Sequence, residues 1–467
     1  MLRSLPSPNG YVHRIGKALF TLRIFAMLLL VMGLFGCAAL KTPSSFKPRS
    51  INEVRFRDRM QSKSDLDVRV SVAVPTAEEA AEIFQADLIR TEIQPVWVKV
   101  ENHSDQTYYL LSTATDQNHF SPLEAAYAVG GGFFESYRNQ MESYFRAMNF
   151  RNPILPNTAV SGFIYTNLDE GEKVVHVDLI ASEQVKFFTF LVEIPGMRVD
   201  YKMVDFDSLY PGDQVAELNE RQLRTILEDL PCCTTDQGGG EFGDPANLVI
   251  IGDFKDVAAA FSRQGWLPAE ETYSTAVWKT IKSFLFGSRY RYSPVSPLYY
   301  FDRHQDFARQ KPRHDVHERN HLRLWYSPYR YQGKPVFVGQ ISRDIGVRFT
   351  MKARPPVTHK IDPDIDEARH SLVEDLLYSQ MLAEVGWVKG VGSARPSNPR
   401  NNLTGDPYFT DGYRAVLFLE QGPIALNQVK SLDWEMPTTF HWALQVATER
   451  KCDMSSLLKN VFSKGRK

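Results

Sequence analysis

The segment Leu66–Val74, LDVRVSVAV, alternates apolar and polar residues with a period of two. That period puts every second side chain on one face, which fits a half-buried strand and not a helix. It returns in IQPVWVKVEN (Ile93–Asn102), TAVSGFIYTN (Thr158–Asn167), EKVVHVDLIA (Glu172–Ala181) and VKFFTFLVEI (Val185–Ile194), with a shorter run at Tyr108–Leu111. Turn signals, among them NHSDQ, DEGE and SEQ, separate the runs. Short strands at such spacing predict an antiparallel β-sandwich. One stretch breaks the period. Ser121–Phe150 reads as helix, opened by Ser121-Pro122-Leu123-Glu124 and split near Gly130–Gly132. Val96, Trp97 and Phe163 fit its core, while His103, His119 and His176 are scattered and define no ligand set.

The second half mixes helices and strands. Ala246–Trp266 reads as a buried strand, a turn and an amphipathic helix, and Thr275–Gly287 as a helix with a glycine stop. PLYYF, HLRLWY, PVFVGQI and YRAVLFLE read as strands, and DIDEARHSLVEDLLYSQML as a long helix after Asp362-Pro363. The order is not strictly βαβ, which predicts α+β. Asp200–Leu230, with the short helix ERQLRTILEDL, reads as a linker ending near Cys232-Cys233 and Gly238–Gly240. Adjacent cysteines are expected not to bond each other, so Cys452 is the candidate partner for one of them.

Composition closes off several classes. Hydrophobic content of 43% and charged content of 23% are those of a globular chain. A formal charge of −1 gives no bulk attraction for nucleic acid, and four cysteines without a CxxC pair exclude a disulfide scaffold or a cysteine-built zinc site. The N-terminus is different. Arg3, Arg14, Lys17 and Arg23 precede the first acid, Glu53, and Ile24–Gly36 carries no charge. That apolar run is short for a bilayer span and fits a secretory signal. It ends in Leu34-Phe35-Gly36-Cys37, which resembles the bacterial lipobox, with Phe35 bulkier than is usual there. The resemblance implies cleavage before Cys37 and its acylation, and Ala38 after it favours the outer membrane. The alternative is an uncleaved anchor helix in the inner membrane.

NLVIIGDFKDVAAAFSRQGW, SRYRYSPVSPLYYFDRHQDFARQKP, NHLRLW, KPVFVGQISRDIGV, HKIDPDIDEAR and GDPYFTDGYR follow one another along the chain. In this order the blocks resemble the LssY C-terminal domain family. The resemblance implies a fold and no defined chemistry. Relatives can carry the domain behind a membrane lipid phosphatase, whose PSGH and SR…H…D blocks are missing. Ser342-Arg343 runs into DIGVRFT and Ser288-Arg289 into YRYSPVS. No serine-hydrolase or nucleotide-binding pattern occurs either.

Three constellations remain. His317-Glu318-Arg319-Asn320-His321 spells HExxH, a zinc motif when helical, but NHLRLWY alternates as a strand, so no metal is expected. Asp362, Asp364 and Asp366 alternate like a calcium loop without its Gly and Glu, and read as helix capping with Asp362 as N-cap. Between Arg289 and Arg330 lie nine Lys/Arg against four Asp/Glu, interleaved with aromatics. That face suits phosphate or a lipid headgroup, or is solvated charge above a core. If Leu322 and Leu324 face inward, then His321, Arg323 and Trp325 share the outer face. With His359 and Asp362 they form the candidate site for an anionic envelope lipid or glycan. The alternative is that Arg323 ties its strand to Asp362 or Asp364.

The expectation is α+β overall. A signal peptide (1–37) and tether (38–65) lead to an immunoglobulin-like β-sandwich with a helical insertion (66–200). A linker (201–240), an α+β domain (241–425) and a basic helical tail (426–467) follow. The expected role is a lipid-anchored binding or envelope-assembly module at the periplasmic face of the outer membrane. It would have no cofactor and no nucleic acid, with a protein partner on the sandwich as a further candidate. The alternative role is a hydrolase or other enzyme acting on an envelope lipid or glycan.

Overall fold

The computed structural model describes residues 46–130, 135–194, 204–206, 208–269, 297–312, 318–349 and 357–437, with backbone alone at 347–349 and 357–358. The signal segment with Cys37, the helix expected at 275–287, His317 of HExxH, Cys452 and the tail from 438 lie outside these residues. Among the described residues no helix is long and apolar enough to cross a membrane.

Among the described residues, seven strands build the first domain: β1 (Gln61–Asp65), β2 (Val68–Ala73), β3 (Ile93–Asn102), β4 (Tyr109–Leu110), β5 (Thr158–Asn167), β6 (Glu172–Ile180) and β7 (Val185–Glu193). They form two antiparallel sheets, β1-β2-β3-β5 and β4-β6-β7. Val70 and Val98 from one sheet meet Val177 and Phe188 from the other in a shared core. The alternation read from the sequence therefore does what it implies. The order is not that of an immunoglobulin domain, in which the third strand crosses to the second sheet. Here β3 stays beside β2 across six residue pairs, so the sandwich lacks the immunoglobulin strand order expected of it. The outer face of the larger sheet is covered by α1 (Ala77–Phe84), α2 (Pro122–Ala128) and α3 (Glu135–Met148), with Phe84 and Phe145 packed on Phe163 and Tyr165. Reciprocal capping boxes start two of these helices, Thr76 with Glu79 and Ser121 with Glu124.

The tether is shorter than expected. Phe56 is fully buried, Phe46 sits edge-on to Tyr137 and Tyr144, and β1 adds an edge strand to the sheet. Leu66, read as the start of a strand, instead sits at the β1–β2 turn, 87% exposed with φ +50°.

Among the described residues, the second domain is built on a ten-stranded mixed sheet, with a four-stranded sheet and a two-stranded one besides. In chain order its strands are β8 (Ala216–Leu218), β9 (Cys233–Thr235), β10 (Phe242–Pro245), β11 (Leu248–Ile251), β12 (Leu267–Pro268), β13 (Tyr299–Tyr300), β14 (Arg303–His304) and β15 (Phe307–Pro312). Then come β16 (Arg319–Tyr331), β17 (Lys334–Phe349), β18 (Val357–Ile361), β19 (Leu382–Lys389), β20 (Arg400–Asn401), β21 (Pro407–Tyr408), β22 (Tyr413–Leu419) and β23 (Lys430–Ser431). The large sheet runs β12-β15-β16-β17-β11-β22-β19-β23, with β18 on β17 and β8 on β16, and β11 pairs in parallel with β22. Both faces are buried, so β11 (LVII) is a continuous apolar run. Leu248 and Ile250 face α5 (Phe254–Arg263) and α6 (Ile365–Tyr378), while Val249 and Ile251 face α4 (Glu220–Asp229).

Two expectations fail here. The supposed linker is part of this domain, since β8 extends the sheet and Leu223 and Leu227 of α4 enter its core. Cys232 and Cys233 are bonded to each other, which removes Cys452 as a partner.

The domains meet across the outer face of β6. Arg263, at the end of α5, forks onto Asp178 at 2.9 and 2.6 Å, donates to Ser379 O at 3.1 Å and lies 3.9 Å from the centre of the Phe187 ring.

Candidate functional site

Register fixes which side chains meet. On β16 and β17, Arg323 stands opposite Gln340 and His321 opposite Ser342. Leu322 and Leu324 are fully buried in the core below, as the alternation requires, so His321 and Arg323 share the other face. A bulge then interrupts the β17–β18 pairing between Asp344 and Gly346, where φ is +153°. Bulges re-aim a side chain. Beside this one, the Asp344 carboxylate lies between two histidines, 2.7 Å from His321 Nε2 and 3.4 Å from His359 Nδ1. The two imidazoles are 6.3 Å apart, centre to centre. His359 is half exposed, His321 is mostly covered, and Asp344 is buried. Burial alone would raise the Asp344 carboxyl. The charges of His321, His359 and Arg323, with the His321 hydrogen bond, outweigh it and hold the group below the usual carboxylate range.

Arg323 leads inward. Its Nη1 donates to Gln340 Oε1 at 2.7 Å, and Gln340 Nε2 donates to Asp244 Oδ2 at 3.3 Å. Asn402 Nδ2 reaches the other oxygen of Asp244 at 3.0 Å. Burial lowers the Arg323 pKa, against the opposing pull of Asp244 and Asp344. For Asp244, burial raises the carboxyl despite Arg323 and Asn402.

The structure thus joins His321 and His359, and turns the other candidates elsewhere. Trp325 is fully buried, with Nε1 on Arg303 O at 3.1 Å, and belongs to the core. Asp362 accepts from the Asp364 amide at 3.0 Å and forms a turn, while the N-cap of α6 is Asp364, two residues later than expected. Arg323 is bonded to Gln340, neither a surface fork nor tied to Asp362 or Asp364 as expected. The basic face between 289 and 330 is largely internal where described. Arg309, Arg319 and Arg323 are all buried, and Arg303 is spent on Asp306 at 3.0 and 2.9 Å. Sequence reasoning missed Asp344, Gln340 and Asp244. Only Asp344 had a local signal, the SRDIG string with a glycine two residues on.

Two histidines on one carboxylate can hold and exchange protons and can present positive charge when both are protonated. No cluster of three or more His, Cys, Asp or Glu placed to hold a metal occurs among the described residues. Replacing Arg323 with Ala is expected to cost about 3 kcal/mol, because Gln340 loses its donor and the buried Asp244 and Asp344 lose a nearby positive charge. Urea melts check this. An unchanged midpoint with lost ligand binding would return Arg323 to a contact role.

Residues 224–413 match the family model described as the LssY C-terminus. No curated protein matches the chain.

Proposed function

With an LssY C-terminus domain over residues 224–413 as the premise, we propose that this chain is a lipid-anchored binding module of the bacterial cell envelope. Cys37 carries the acyl chains, and the body faces the periplasm from the outer membrane. The observation that carries the reading is the order of the first residues: a basic stretch, an uncharged apolar run, then Leu34-Phe35-Gly36-Cys37. Several acyl chains on one cysteine give stable anchoring at about 0.8 kcal/mol for each buried CH₂. The chain already packs on the sandwich at Phe46, so the body works close to the membrane surface.

Binding is favoured over catalysis because the polar groups of the centre are engaged with one another, both histidines on Asp344 and Arg323 on Gln340. The ligand class is an anionic lipid or glycan headgroup, met by the exposed His359 and Lys360. One observation favours a second reading. His321 Nδ1 is buried without a hydrogen-bond partner among the described residues, while Asp344 orients Nε2. That arrangement suits an imidazole held for proton transfer, as in a hydrolase acting on an envelope lipid or glycan.

Cys37→Ser is expected to abolish palmitate incorporation and leave the precursor in the membrane, and persistent label would sink the anchor. In the same cells His359→Ala should stay anchored and lose envelope-integrity complementation. Full complementation would remove this face from the function.

A further inference from the structure

A cleft of about 510 Å³ lies between the two domains, and none of His321, Asp344 and His359 lines it. Its size falls in the roughly 300–1,000 Å³ range of small-molecule sites, which favour domain interfaces. Asn118, Val174 and His176 line it from the sandwich, and Gln264, Leu267 and Lys311 from the second domain. We propose that this cleft binds a neutral, hydroxyl-rich ligand of the saccharide class, with His176 as its buried hydrogen-bonding anchor.

The charges around the cleft argue against an ion. Arg263 is forked onto Asp178. Lys173 Nζ reaches Asp169 at 2.7 Å and Lys311 Nζ reaches Asp375 at 2.7 Å. An anionic ligand would have to break one of these pairs or be buried without a counter-charge, and a cation would have to draw Asp116 off the Asn167 amides, which it accepts at 2.7 and 2.9 Å, or Glu172 away from Arg309.

His176 is the group left over. It is 5% exposed, its Nδ1 meets Thr189 Oγ1 at 3.0 Å, and its Nε2 has no hydrogen-bond partner among the described residues. A buried polar atom of this kind costs free energy until something bonds it. Burial, with the Arg263 charge, pushes the imidazole pKa down to about 3, so the ring is neutral at ordinary pH. Its Nε2 donates in one tautomer and accepts in the other. A hydroxyl answers either, which a carboxylate or an ammonium cannot. Asn118 and Gln264 add amides of the same dual character. Val174 and Leu267 give an apolar wall of the kind that the C–H face of a sugar ring packs against. The lining is therefore mixed in the way a saccharide is mixed. This reading is independent of the lipid anchor.

The test is calorimetric titration of the detergent-solubilised full chain with maltose and with N,N′-diacetylchitobiose, against inorganic phosphate and spermidine as charged comparators. One of the disaccharides is expected to bind with Kd below about 1 mM. Val174→Phe fills the cleft and should raise that Kd at least about tenfold at an unchanged melting temperature. His176→Asn should do the same, and if that variant fails to fold, Val174→Phe alone decides. Binding of neither disaccharide, tighter binding of phosphate or spermidine, or disaccharide binding untouched by Val174→Phe would each overturn the proposal.

Discussion

Replacing Arg414 with Met is expected to lower the unfolding free energy by about 3 kcal/mol. Arg414 is fully buried in β22, and its guanidinium gathers backbone carbonyls. Nε donates to Ala246 O at 2.8 Å, Nη1 to Leu227 O, and Nη2 to Leu230 O at 2.9 Å and Pro231 O at 2.6 Å. Leu227 and Leu230 lie at the C-terminal end of α4, where unsatisfied carbonyls and the negative end of the helix dipole favour a cation. Gly390, at φ +137°, leaves room, since a Cβ there would collide with the guanidinium. Each hydrogen bond to a charged group contributes about 1.5–3 kcal/mol, and each orphaned carbonyl costs about 1–3 kcal/mol. Removing the charge also relieves the cost of burying it, which keeps the net well below the sum. Met preserves the packing of the stem, and Lys cannot replace a planar fork that bonds both sides at once. Equilibrium urea denaturation reads the effect. A loss under about 1 kcal/mol would show that water satisfies these carbonyls.

The second large effect is acid lability. Burial, followed by the charge of Arg263, holds His176 down to about 3, and burial, followed by the charge of Arg369, holds His370 down to about 4. In the unfolded chain both take up protons near 6.5. Between those values the unfolded state binds more protons. The stability from the two neutral imidazoles is therefore complete above about pH 6.5 and is lost as pH falls toward 3–4. Carboxyls raised by burial oppose this, Asp244, Asp256 and Asp364 among them, while Asp344, held low, adds to it. Asp366, in the buried cluster with Arg369 and Asp411, has its carboxyl raised to about 6, first by burial and then by the Asp411 charge against Arg369. It keeps its proton in the folded state and so adds stability as pH falls from about 6 to about 4. At 1.36 kcal/mol for each pKa unit, the two histidines outweigh one aspartate. These three groups together are expected to remove about 4 kcal/mol between pH 7 and pH 4. Urea melts at pH 7, 5.5 and 4 measure it, and His176→Asn should remove close to half of the histidine share. Equal stability at pH 4 and pH 7 would contradict the argument.

How far the sequence could be read depended on whether a signal was local. Six sandwich strands were legible because their apolar residues recur along short runs bounded by turn signals, and Thr158–Asn167 was read with its observed bounds. Strand β1, QSKSD, was not, because a polar edge strand buries almost nothing and carries no alternation. The domain edge was misplaced because α4, amphipathic and preceded by a mixed stretch, looks the same whether it bridges domains or covers a sheet. NHLRLW gave the correct inner and outer faces from Leu322 and Leu324 alone. The partner of its outer face did not follow, since a bulge far along β17 decides where Asp344 points. The basic stretch misled for a related reason. Arginine composition cannot report burial when the partners are as remote as Gln340 for Arg323 or Glu172, 3.8 Å away, for Arg309.

The grip of Arg263 on Asp178, Phe187 and Ser379 has a consequence for how this chain can be cut and rejoined. Its C-terminal half is not a portable cassette. Excised at the domain border, it would show water an arginine shaped to a missing carboxylate, beside the edge strand β12 and the wall around Trp266. The sandwich alone would carry Asp178 and His176 on a face meant to be covered. Each half is the other's missing surface, so substitutions along this seam have to be answered in pairs.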